Sequence, residues 1–89
     1  VTLELFGMAR ALVGSATIAL EVPDPSPLRI LLAALAGVQP RLLGEVLDCE
    51  TFAPLEPHLV LLDGRRPVSL DDLVHEADKP CLLLLPSGG

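Results

Sequence analysis

Val1-Thr2-Leu3-Glu4-Leu5-Phe6-Gly7 alternates apolar and polar side chains residue by residue, the period of a strand buried on one face only. Val1, Leu3 and Leu5 are expected on the buried side, with Thr2, Glu4 and Phe6 on the other. Gly7 ends the run, Met8 to Val13 can form a short helical turn, and Gly14 closes it. Ala16 to Val22 alternates again, placing Ala16, Ile18, Leu20 and Val22 on one side. Two strands this close in sequence pair as antiparallel neighbours. The opening of the chain therefore sets up a half-buried sheet, and such a sheet needs a cover.

The cover follows directly. Pro23-Asp24-Pro25 is a stiff turn that neither a helix nor an inner strand tolerates. Ser26-Pro27 reads as an N-cap followed by proline at the first helical position. Leu28, Leu31, Leu32 and Leu35 recur at helical spacing, so a helix over Leu28 to Ala36 is predicted, with Gly37 as its C-cap. Pro40 to Leu47 reads as a shorter helical piece with Leu43, Val46 and Leu47 on one side, and Asp48 to Pro57 as a loop. His58-Leu59-Val60-Leu61-Leu62 is a strand closed by the turn pair Asp63-Gly64. Arg65 to Leu70 returns as a short strand, and Asp71 to Lys79 carries a helical turn. Pro80 permits a last strand, Cys81 to Leu85, after which Pro86-Ser87-Gly88-Gly89 has almost no means of ordering itself. The order is β-β-α-(α)-β-β-β: an α+β domain over 1–85, with one sheet and one main covering helix, and a tail at 86–89.

Composition narrows the function classes. The chain has 89 residues, 51% hydrophobic and only 2% aromatic, so one small domain packs on aliphatic side chains. Its formal charge is −6, and the six basic residues are scattered among twelve acids. No basic stripe neutralises phosphates, which argues against nucleic acid and for partners with positive patches. No stretch reaches the ~18–20 apolar residues of a membrane span. The first residues already read as a strand, so no signal peptide is expected. Two cysteines, Cys49 and Cys81, make neither a disulfide scaffold nor a metal set, and a cytoplasmic location with reduced thiols is the simplest expectation.

Catalytic constellations are missing. His58 and His75 are lone histidines and read as surface or capping residues. Asp71, Asp72, Glu76 and Asp78 cluster around a turn and read as a solvated, capping face rather than paired catalytic carboxylates. Cys49 and Cys81 have no basic run beside them to lower a thiol pKa. The informative feature is the Gly88-Gly89 end: a narrow arm without side chains, ending in a carboxylate, which can enter a partner's active site closely. Adenylation by ATP would make that carboxylate an acyl donor, and a sulfur nucleophile displacing AMP would leave a thiocarboxylate. A disordered tail or an expression remnant can also end in Gly-Gly, so the tail by itself leaves both readings open.

Four segments add to that reading. Leu5-Phe6-Gly7-Met8-Ala9-Arg10-Ala11-Leu12-Val13-Gly14 resembles the first strand and turn of the small subunit of molybdopterin synthase. Leu28-Arg29-Ile30-Leu31-Leu32-Ala33-Ala34-Leu35 is similar to its helix. His58 to Arg65 resembles its third strand and hairpin, and Leu82 to Gly89 its last strand and tail. The likeness runs over nearly the whole chain in the family's order. Two segments depart from it: Ala77-Asp78-Lys79-Pro80-Cys81 stands where Gly-Asp-Glu-Val is common, and the Pro86-Ser87-Gly88-Gly89 tail is shorter than usual. The resemblance implies a ubiquitin-like β-grasp sulfur carrier, a superfamily that includes the thiamine sulfur carrier and ubiquitin-like modifiers. It implies no bound cofactor and no metal. An adenylating activating enzyme would use ATP and a sulfur donor to load Gly89, with Gly88, Ser87 and Pro86 threading into its site. The large subunit of molybdopterin synthase would be the second partner.

Alternation supplies a docking face without the resemblance. If Val60 and Leu62 face the helix, Leu59 and Leu61 face outward; if Leu82 and Leu84 pack inward, Leu83 and Leu85 point out beside Phe6. These five outward side chains form one expected apolar patch at the root of the tail, and contiguous patches mark interfaces more often than isolated leucines do. In the resembling family this face docks the activating enzyme and the large synthase subunit, and Arg10 matches a position near it that can pair with a partner carboxylate. The expected function is sulfur carriage toward a molybdopterin precursor, without enzyme activity of its own. The alternatives are carriage for thiamine, tRNA or cysteine synthesis, conjugation to lysines, and a plain binding module with an inert tail.

Overall fold

The computed structural model describes residues 1–84. Strand β1 (Thr2–Leu5) runs into helix α1 (Gly7–Val13), which ends on Gly14 in the left-handed region at φ 82°, and strand β2 (Thr17–Ala19) returns antiparallel to β1. Strand β3 (Ser26–Pro27) leads into helix α2 (Leu28–Val38). A 3-10 turn at Pro40–Leu42 and an irregular loop precede β4 (His58–Leu62). Strands β5 (Arg66–Pro67) and β6 (Leu73–Val74), a second 3-10 turn at Glu76–Asp78, and β7 (Cys81–Leu84) complete the order. Leu85, expected as the end of the last strand, lies outside the described residues together with Pro86, Ser87, Gly88 and Gly89.

The main sheet has five strands in the order β2-β1-β7-β4-β5, and β3 pairs with β6 in a separate ribbon. The last strand is therefore central. It runs parallel to β1, with Glu4 opposite Cys81 and Leu5 opposite Leu82, and antiparallel to β4, with His58 opposite Leu84. The apolar face of α2, carrying Leu28, Leu31, Leu32 and Leu35, is buried with Leu3 and Leu5 of β1, Val60 and Leu62 of β4 and Leu82 of β7. Leu42, Val46 and Leu47 of the following loop are fully buried in the same core, and Leu43 packs against it partly buried.

Three local expectations are corrected. Ser26 does not cap the helix: it is buried in β3, its hydroxyl bonds Pro23 O, and Pro27 occupies the N-cap position. The first helical N–H groups are instead satisfied from a distance, Leu28 N–H by Asp72 O at 2.9 Å and Arg29 N–H by Leu70 O at 2.9 Å. Gly37 does not end the helix, which continues to Val38. Leu84 keeps the inward parity of Leu82 but is 38% exposed against 0% for Leu82, because the strand has run past the end of the core.

The connection into β7 is held by Asp78. Its carboxylate accepts the His75 N–H at 2.9 Å, and its own carbonyl accepts the Asp63 N–H at 2.9 Å. The hydrogen bond from the His75 backbone holds the Asp78 carboxyl below the usual carboxylate range. That support is present above the ordinary aspartate pKa and is lost as pH falls through the lowered folded value, so Asp78→Ala should flatten the acid limb of a stability-against-pH curve. Leu82→Ala should cost about 2–5 kcal/mol in chemical denaturation, and Leu84→Ala distinctly less. The reverse ranking would overturn the inward register of β7.

Candidate functional site

Beyond α2's cover, the opposite face of the sheet lies open, and its composition changes across the strands. On β1 and β2 it shows Thr2, Glu4, Thr17 and Ala19, all exposed. On β7 and β4 it shows Cys81, Leu83, Leu59 and Leu61, with Leu83 opposite Leu59 and Cys81 opposite Leu61. Leu59, Leu61 and Leu83 are half-buried, and Phe6, at the end of β1, is 43% exposed. The apolar half gathers into a shallow hollow of about 380 Å³ lined by Phe6, Gly7, Leu61, Gly64, Cys81, Leu83 and Leu84.

The backbone explains why these side chains meet. Phe6 N–H donates to Leu82 O at 3.0 Å, which fastens the β1–α1 junction to the middle of β7. Gly7 sits at φ 62°, a backbone conformation that L side chains adopt only with strain, so the sharp entry into α1 favours glycine even though a Cβ there would make only ordinary contact, 3.7 Å from Leu84 Cβ. Gly64, at φ 70° in the β4–β5 turn, forms the far lip. The hollow thus lies beside Leu84, the residue from which the chain continues into 85–89.

Of the expected patch, Phe6, Leu59, Leu61 and Leu83 share the open face, and Phe6, Leu61 and Leu83 line the hollow; Leu85 lies outside the described residues, as does the whole Pro86 to Gly89 tail. Arg10 is exposed on α1 but lines a different concavity, with Gly7, Ala11, Gly14, Ser15 and Ala16, and makes no ion pair with a described residue. Leu84 and Cys81 belong to the hollow and were not in the expected patch. The signal for Cys81 was available, since it has the same parity as Leu83. The residue is 7% exposed, and burial pushes the thiol pKa up, so it behaves as a small apolar wall rather than a nucleophile.

The histidines divide. His75 caps the turn before β7, with Nδ1 3.2 Å from an Asp78 carboxylate oxygen. His58 is not at the surface: it is 7% exposed, its Nδ1 lies 3.1 Å from Leu55 O, and Nε2 has no partner among the described residues. Its inward parity in β4 buries it, and no acid or cysteine joins it in a catalytic or metal-holding group. Among the described residues no three His, Cys, Asp or Glu side chains are placed to hold a metal, and no helix is long and apolar enough to cross a membrane.

No protein-family model matches the chain, and no curated protein matches it. Solved structures do. The crystal structure of SAMP1 from Haloferax volcanii superposes with a TM-score of 0.79 at 25% identity, over 99% of this chain and 97% of that one. A crystal structure of H. volcanii small archaeal modifier protein 1 gives 0.77 at 23% identity, over 93% of each chain. Strand order, covering helix and full-length superposition together establish a ubiquitin-like β-grasp. The similar structures are of a small modifier protein, not of an enzyme.

The exposure difference between the two thiols gives a direct check on the hollow. Cys49 is exposed and should be alkylated by iodoacetamide well before Cys81. The Cys81 rate should still be climbing at a pH where an ordinary thiol has levelled off. Equal rates for the two would mean that the wall formed by Cys81 is open to water.

Proposed function

We propose that this chain is a carrier whose Gly89 carboxylate is activated by a partner enzyme and then carries sulfur as a thiocarboxylate. The observation that carries the reading is the apolar hollow placed beside Leu84, five residues before Gly89. Docking and chemistry are thereby separated by design. The sheet face offers aliphatic and aromatic area to an activating enzyme, while residues 86–89 reach into that enzyme's site. ATP and the catalytic groups belong to the enzyme. Adenylation turns the carboxylate into a mixed anhydride with loss of pyrophosphate, and a sulfur nucleophile displaces AMP.

A molybdopterin precursor is the proposed acceptor, with the large subunit of molybdopterin synthase as second partner and the cytoplasm as the compartment. This rests on the resemblance in Leu5–Gly14, Leu28–Leu35, His58–Arg65 and Leu82–Gly89. Arg10 is proposed as a charged contact at the edge of the docking surface. Attachment of the activated glycine to amines is a second reading, favoured by the name of the modifier protein that this fold matches.

Incubation with an adenylating enzyme of the ubiquitin-like carrier class, ATP and a sulfur donor should replace one terminal oxygen by sulfur in the intact mass. Deleting Gly89 should abolish this with thermal stability nearly unchanged. Gly88→Val should block loading more than binding, because a Cβ there meets the walls of a narrow site. Leu59→Asp should do the opposite, weakening binding while leaving a folded chain. Sulfur appearing at the terminus of the Gly89-deleted chain would overturn the carrier reading, and unchanged docking of Leu59→Asp would remove the sheet face from it.

A further inference from the structure

We propose that the outer edge of β2, with the groove between it and α2, takes up an extended segment of a partner protein as a further strand of the main sheet. The segment has branched aliphatic side chains at alternate positions and a lysine or arginine at the end that meets Glu21. The proposal does not depend on the reading of Gly89. The groove lies on the α2 side of the sheet, away from the hollow at Phe6 and Leu83.

The two edges of the main sheet differ in what they offer. At the β5 edge, Val68 N–H donates to Val60 O, which sets Pro67 in the outward-facing position, where it has no N–H for another strand. At the β2 edge, Leu5 N–H donates to Ala16 O and Leu20 N–H to Val1 O, both at 2.8 Å. The backbone groups of Ala16, Ile18 and Leu20 therefore face β1, and those of Thr17, Ala19 and Glu21 face outward. The Ser15 hydroxyl occupies Thr17, donating to its carbonyl at 2.8 Å. Ala19 and Glu21 are exposed, and among the described residues no strand pairs with them on that side.

The helix beside this edge leaves room for a strand's side chains. Ala19, Leu20, Glu21, Ala34, Gly37 and Val38 line a groove of about 430 Å³. Gly37 lies inside α2 at an ordinary φ, and a Cβ there would meet nothing within 4 Å. Neither backbone nor packing within the described chain calls for glycine, which weakens a helix relative to alanine. The missing side chain instead keeps the groove open. Val38 beside it is 57% exposed, apolar area that the fold itself does not use. A strand added next to β2 sends every second side chain toward α2 with Leu20, and the others to the open face with Ala19.

Charge selects the occupant. Glu21 stands exposed at the groove in no ion pair with a described residue, and the chain as a whole carries −6. A second copy laid along this edge brings its own Glu21 and its own negative charge. A basic residue flanking an aliphatic segment pairs with Glu21 instead. Backbone bonds to Ala19 and Glu21 then supply affinity, while the groove and the carboxylate supply the choice of sequence.

The probe is a synthetic peptide, acetyl-Lys-Lys-Val-Ile-Val-Ile-Gly-amide, titrated into the full chain and followed by amide NMR. Shifts should concentrate in β2 and at residues 34–38, with hydrogen exchange at Ala19 and Glu21 slowed at least tenfold at saturation. Gly37→Leu should weaken binding at least tenfold yet melt no lower than the parent, because its side chain enters open space and favours the helix. Glu21→Lys should weaken the lysine-flanked peptide and tighten a glutamate-flanked one. Of two peptides N-methylated at alternate residues in opposite phase, one should bind like the parent and the other should not. No binding at about 1 mM peptide, shifts confined to Phe6, Leu61 and Leu83, or unchanged affinity in Gly37→Leu would overturn the proposal. Equal behaviour of the two N-methylated peptides would overturn it as well, and so would self-association of the chain through β2 that the peptide cannot displace.

Discussion

Everything in this fold depends on β7 being seated between β1 and β4. Glu4 N–H donates to Pro80 O and Phe6 N–H to Leu82 O, both at 3.0 Å, while four residue pairs from His58–Leu84 to Leu61–Cys81 close the other edge. A parallel pair such as β1–β7 cannot be made by a tight turn; the chain between them must travel out and back, and α2 is the piece that does so over the sheet. The central strand is thus the last of the described strands to be supplied, and the sheet is completed only when β7 arrives. A consequence for function is that the tail begins at the best-anchored strand.

One long helix covers one face, and the sheet has two. With Leu28, Leu31, Leu32 and Leu35 committed to the other face, no described helix covers the side of Leu59, Leu61 and Leu83, and these stay half-buried. Half-burial is a compromise that keeps the free chain folded while leaving apolar area for an encounter. The polar half of the same face, with Glu4 opposite Cys81, bounds that area on the β1 side. A partner meeting this face has a hydrophobic strip to cover and, on the β1 side, the Glu4 carboxylate to complement.

The sequence is most legible where two local signals agree. His58 to Leu62 is a short apolar run that stops at Asp63-Gly64, and the strand has those bounds, with its side chains alternating between buried and half-buried and with Asp63 and Gly64 both at positive φ. Phe6, Leu59, Leu61 and Leu83 follow from the same alternation, and so they are found on one face. Ser26-Pro27 misleads because a serine before proline looks alike at a helix start and in an extended bridge. What decides is the distant pairing of Ser26 with Val74, and the carbonyls of Leu70 and Asp72 that take over the capping. Leu84 misleads for a different reason: parity tells which way a side chain faces, not where the core beneath it stops. Gly7 and Gly64 enter the hollow through backbone shape, which no strand's pattern contains, whereas the parity of Cys81 with Leu83 is enough to place it there.

Charge type also bears on the proposed chemistry. A chain whose terminal carboxylate becomes an acyl donor is exposed to attack by its own amines and by those of its neighbours in the same solution. Arginine supplies positive charge without that hazard, since its guanidinium does not lose its proton under ordinary conditions, whereas a lysine ammonium exists in equilibrium with a nucleophile. Five of the six basic residues here are arginines: Arg10, Arg29, Arg41, Arg65 and Arg66. Arg29 and Arg41 sit at the two ends of the α2 region, and Arg65 and Arg66 at the β4–β5 turn, so the surface is basic in several places yet reactive in one. A lysine placed at random among these positions would have opened a second acceptor. The sixth basic residue, Lys79, is the one side-chain amine of these 89 residues able to compete for an activated terminus.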